Sequence, residues 1–206
     1  MTGTIVEFIL LLIAHAAAGI YSSTLKFSKK ITYIIWGTWI AIQTGLLFFT
    51  EFVLTNWALQ FFVGFVLSLV GQYVIFFVTT KGRLAQRIFT MLTYSIFFCI
   101  AMSLFTMIRG TFSELHWALT ALIQAVLLSA IVTYFLRYVC TLCRTASKNI
   151  KTGWAPLIFV NVVFIITIIL SSVFPIRLTS FRDPSFITFV FLSISIMAVY
   201  PVIFSS

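Results

Sequence analysis

Apolar residues along this chain come in long unbroken runs, not in the alternation of a half-buried strand. Seven runs, at residues 3–21, 31–50, 57–80, 88–108, 117–138, 154–174 and 186–205, are separated by short polar breaks. A helix crosses a bilayer with about 20 mostly apolar residues, whereas a barrel strand uses about 10 residues of alternating polarity. The pattern predicts an all-α, polytopic membrane protein, a single bundle of about seven transmembrane helices over residues 1–206. No internal repeat divides it.

Composition strengthens this expectation. Of the 206 residues, 62% are hydrophobic and 8% charged, whereas a soluble domain is about 45–50% apolar and about 25% charged. So few charges cannot clothe a water-facing surface of this size. The first run has no positive charge before it, and Lys26, Lys29 and Lys30 follow it, so it reads as a retained span and not a signal peptide.

Charge then sets an orientation. The first, third and fifth breaks hold Lys26, Lys29 and Lys30, then Lys81, Arg83 and Arg87, then Arg137, Arg144, Lys148 and Lys151, with no acid. The second, fourth and sixth hold Glu51, then Arg109 and Glu114, then Arg177, Arg182 and Asp183. Bases accumulate in short cytoplasmic loops, so the odd breaks are expected inside, the amino terminus outside and Ser206 inside, in a multi-pass protein of the cell membrane. Trp57 and Trp117 are expected at the outer boundary and Trp154 at the inner one, where an indole wets its N–H. Asp183 is placed as an N-cap with Pro184 as the first helical residue, and Ser113 as a cap for the fifth span.

Several polar residues are candidates for ligand binding or switching. Glu7 and His15 share the first span, eight residues or about 12 Å apart, too far to bond directly. Glu7 sits about one turn inside the outer boundary, where it either reaches headgroup water or serves a site. His15 lies among Ala14, Ala16, Ala17, Ala18 and Gly19, small residues that let helices approach. It reads either as an imidazole bonded across a tight helix contact or as a ligand-binding group. The amides Gln43, Gln60, Gln72, Gln124 and Asn161 read as packing glue, with one or two free to line a polar cavity. In the outer breaks, Glu51, Arg109, Glu114, His116, Arg177, Arg182 and Asp183 are either ligand-facing groups or solvated loop charges.

Enzyme chemistry finds little footing. Cys140 and Cys143 have the C-x-x-C spacing, but no second pair or histidine partner accompanies them; juxtamembrane lipidation is the better reading. No phosphate loop, HExxH or GxSxG occurs, so no catalytic residue, metal or cofactor is expected. Orientation explains the net charge of +9, so the expected partner is the lipid bilayer with its anionic headgroups and not nucleic acid.

The final span "SFRDPSFITFVFLSISIMAVYPVIFSS", the basic "CRTASKNIKTGW" loop and the N-out, C-in plan together resemble the amino-terminal membrane region of GHKL-type sensor histidine kinases, within which the accessory gene regulator (Agr) peptide receptors of Gram-positive bacteria are the most similar. The resemblance implies a signal-input domain for a peptide or small amphiphilic ligand from outside, with quorum sensing as its setting and homodimerisation as a family property. It also implies that the last span continues into a cytoplasmic kinase module, which is not in this chain. Pro201, near the inner end of that span, either kinks the exit or marks a helix end. The alternatives are a membrane carrier or transporter subunit for a small solute and a scaffold without a ligand.

Overall fold

The computed structural model describes residues 2–53, 67–112, 116–150, 153–173 and 185–205. Among them the chain is almost wholly helical: α1 (Thr2–Ser22), α2 (Lys29–Val53), α3 (Leu67–Thr79), α4 (Leu84–Thr111), α5 (Trp117–Tyr134), a π-helical turn (Phe135–Val139), α6 (Cys140–Asn149), α7 (Trp154–Val173) and α8 (Ser185–Ser205). At 1.5 Å per residue the 21 residues of α1 rise about 31 Å and the 28 of α4 about 42 Å, the thickness of a hydrocarbon core and of a whole bilayer respectively. Three helical stretches, Lys29–Thr50, Leu84–Thr111 and Trp117–Thr145, are long and apolar enough to cross a membrane. The described parts of the other runs are shorter apolar helices.

Helix α4 is the hub. Of its most apolar stretch 56% is buried, against 17% for α2 and 28% for Trp117–Thr145, because α1, α3, α5 and α7 all pack on it. Asn161 of α7 donates to Thr93 Oγ1 at 2.9 Å and to Phe89 O at 3.3 Å, and Gln124 of α5 donates to Phe105 O. These two amides tie their helices to α4, as the packing-glue reading expects. Gln43 and Gln72 are equally buried, but Gln43 has no hydrogen-bond partner at either amide atom and Gln72 none at its oxygen. Gln60 lies outside the described residues.

The surface has the opposite character. Val70, Val74 and Val78 form an exposed stripe along α3, as do Ile187, Phe191 and Ile194 along α8, with Val74 54% and Phe191 68% accessible. Thr106, Ser129 and Thr167 are exposed hydroxyl residues, yet each donates to the carbonyl four residues back in its own helix. Both features fit a surface that meets hydrocarbon.

The first and third breaks meet directly. Thr24 and Leu25 pair antiparallel with Lys81 and Thr80, and Lys26 N donates to Thr79 O at 2.8 Å. Trp36 Nε1 braces the junction by donating to Thr79 Oγ1. Gly82, at φ +126°, turns the chain into α4, a conformation that favours glycine.

Three expectations change. The "CRTASKNIKTGW" segment is not a loop in its first part: the fifth helix runs through the π turn into α6, with Cys140 and Cys143 buried and Thr141, Arg144 and Thr145 exposed. That inward spacing of three residues, with no glycine before Gly153, favours helix over loop. The cap of α5 is His116, whose Nδ1 accepts from Ala118 N at 3.3 Å; Ser113 lies outside the described residues, as do Trp57, Asp183 and Pro184. Trp154 is buried and packs against Phe89 with centroids 5.4 Å apart and ring planes tilted by 55°, and its N–H has no partner. Packing on α4 has buried the N–H that the boundary reading expected to be wetted.

Two substitutions test this packing. Gly71 on α3 lies under the Trp39 ring of α2, where any Cβ collides with ring atoms. Gly71→Leu should destabilise the purified protein by about 1–3 kcal/mol in thermal unfolding, and Trp39→Ala should recover part of that loss. Asn161→Ala should cost about 0.6 kcal/mol, the usual value of a bond between membrane helices; an unchanged unfolding midpoint would remove its role as a tie.

Candidate functional site

His15 lies seven residues before the end of α1, on the face that also carries Leu11, Ala14 and Ala18. It is 2% exposed. The bond across a helix contact expected for it is absent, for neither Nδ1 nor Nε2 has a hydrogen-bond partner. Rings surround it instead. Tyr94 and Phe98, one turn apart on α4, stand edge-on to the imidazole at centroid distances of 4.6 and 4.8 Å and interplanar angles of 79° and 75°. Tyr73 of α3 lies at 6.4 Å and is held by a hydroxyl contact with Ser95 of 3.1 Å.

A cavity of about 30 Å³ opens beside the ring, walled by α1, α4, α5 and the first residue of the π turn, Phe135. The small side chains of Ala14, Ala18 and Ala101 on its wall leave this space. The volume fits about two water molecules at about 10–15 Å³ each. The wall is otherwise apolar, with Leu11, Phe97, Leu128 and Ile131. The Tyr94 hydroxyl is also buried without a partner. An imidazole left unbonded in such surroundings costs about 1–3 kcal/mol, so a small molecule with one N–H or O–H group and an apolar body matches the site's chemistry.

The other sequence candidates do not gather here. Arg109 is in the last turn of α4, where a cation complements the carbonyl end of the helix, and His116 caps the following helix. Both therefore lie at the opposite end of α4 from Leu84, and both have structural work. Glu7 and Glu51 belong to α1 and α2, but their side chains lie outside the described residues. Glu114, Arg177, Arg182 and Asp183 lie outside them entirely. Helix α8 continues through Pro201 to Ser205, so the helix does not end at the proline.

The aromatic partners of His15 escaped the sequence reading. Tyr94 offered a signal, a hydroxyl in the middle of an apolar run, but the register that puts it and Phe98 against α1 is a property of packing. Among the described residues no group of three His, Cys, Asp or Glu side chains is placed to hold a metal ion. Cys143 is buried in the core, and Cys140 Sγ donates to Tyr21 O, tying α6 to α1. Comparison of the chain with protein families, with curated proteins and with solved structures gives no match.

Proposed function

We propose that the chain is a multi-pass protein of the cell membrane that serves as a signal-input domain, with its amino terminus outside and its carboxyl terminus inside. It takes up a small amphiphilic ligand beside His15 and passes the resulting change of packing to the basic end of the helices. The observation that carries this reading is the shared wall: Phe135, which closes the cavity next to His15, is also the first residue of the π turn leading into α6. π turns interrupt the regular helical ladder and often accompany functional sites.

The last helix is a reasonable output because α8 packs against both the π turn and α6. In the cavity's present size the site accepts only a very small group, so a larger ligand requires α1, α4 and α5 to separate. A ligand that binds the separated packing better than the closed one shifts the population between them, and only that difference carries a signal. The resemblance of the final span to GHKL-type receptors supports a histidine kinase module as the output. The apolar wall around His15 favours an enclosed binding pocket over the polar path that a carrier needs.

The orientation is tested by fusing alkaline phosphatase, active only outside, after Lys30, Thr55, Gly82, Gly110, Lys148 and Arg182. Activity is expected at the second, fourth and sixth of these sites, and the reverse pattern would overturn it. The input role is tested in membrane vesicles carrying Cys99→Ser and Cys143→Ser, in which alkylation of Cys140 reports on the basic end. Indole, an apolar ring with one N–H donor, and other amphiphiles of similar size should change the alkylation rate several-fold. His15→Phe should abolish the change while leaving insertion intact. A rate that no member of the series alters through His15 would remove the ligand-input reading.

A further inference from the structure

A second cavity, about 110 Å³, lies at the basic end and is walled by segments remote in sequence. Ser23 and Thr24 follow α1, Lys81 comes from the β pair, Arg87 and Thr90 from the first turns of α4, and Arg144 from α6. The first, third and fifth breaks thus each contribute to one pocket. Sequence reasoning counted these bases for orientation; the fold converges three of them on a common space.

Three features define what the pocket recognises. Its charge is uncompensated among the described residues: Glu7 lies about 22 Å from Ser22 along α1 and Glu51 about 33 Å from Lys29 along α2, at 1.5 Å per residue. Arg87 is held in place before any ligand arrives. Its Nη1 donates to Phe77 O at 3.0 Å and its guanidinium lies over the Phe77 ring at 5.1 Å, while its buried Nε has no partner. The amino-terminal end of the 28-residue α4 also borders the pocket, adding the positive end of a helix dipole.

From these features we infer that the basic-end cavity is a binding site for a phosphate group, either free or carried as a phosphate monoester on a lipid headgroup. Lys81 and Arg144 neutralise the dianion from the exposed rim, and the Arg87 guanidinium adds its charge from the wall. The Thr24 and Thr90 hydroxyls supply further donors. Five heavy atoms fit the available volume, and charge-assisted bonds to several cations outweigh the desolvation of one small anion. The site stands on the geometry of this end alone and is independent of the ligand reading at His15.

The test uses the full chain purified in a neutral detergent, with thermal unfolding followed against inorganic phosphate at constant ionic strength set by chloride. Phosphate should stabilise the protein saturably. The Lys81→Gln/Arg144→Gln double variant should bind it about tenfold more weakly, whereas Lys81→Arg/Arg144→Lys, which keeps both charges, should retain binding. In phosphatidylcholine nanodiscs with and without phosphatidic acid, stabilisation by the acidic lipid that inorganic phosphate competes away identifies the headgroup source. Stabilisation by inorganic phosphate alone identifies the soluble one. No saturable effect of either, or an effect that the neutral double variant leaves intact, overturns the site.

Discussion

The exposed faces of these helices are apolar, and the need to satisfy polar groups without partners there organises the arrangement described here. Backbone groups find partners inside their own helices, and hydroxyls follow suit: Thr44, Thr93, Ser95, Thr106, Ser129 and Thr167 each donate to the carbonyl four residues back. Side chains too long for that device turn inward, as Asn161 and Gln124 do toward α4. The outward stripes of valine, isoleucine and phenylalanine are then what remains. A soluble helical protein distributes the same residue types the other way round.

Against this background His15 stands out because it turns inward and still bonds to nothing. Rings on α4 hold it edge-on, and small residues of α1 and α4 keep space beside it. The same α1 helix reaches Ser22 at the basic pocket, seven residues or about 10 Å further on. A second route runs from Phe135 through the π turn to Arg144, also at that pocket. The cavity at His15 and the basic cavity thus share two rigid connections. In the proposed membrane reading one lies within the hydrocarbon and the other at headgroup depth.

Much of the element plan was legible. The runs at 3–21, 88–108, 154–174 and 186–205 match α1, α4, α7 and α8 to within a few residues, because a run of apolar residues bounded by polar ones has few other ways to satisfy its backbone. The fifth run was read too short. A polar, basic composition between Cys140 and Asn149 looked like a loop, yet two buried cysteines three apart were enough to continue the helix against α1 and α8. His116 was weighed as a ligand group while its nearer use, capping α5, went to Ser113; a ring nitrogen caps as well as a hydroxyl when the backbone presents it.

The amino-acid order by itself determined that the chain is all-α, where most helices start and stop, and that ten of its thirteen bases fall in alternate breaks, since each follows from local hydropathy and charge. It also marked His15 as an oddity. Tertiary structure alone decided that Tyr94 and Phe98 would enclose that histidine, that Trp154 would be buried against Phe89, and that Lys81, Arg87 and Arg144 would converge on one cavity. These outcomes depend on which face of each helix meets which neighbour. Helices that are apolar on every side carry no periodic mark of that choice, so the few small and polar residues settle it only once they are packed together.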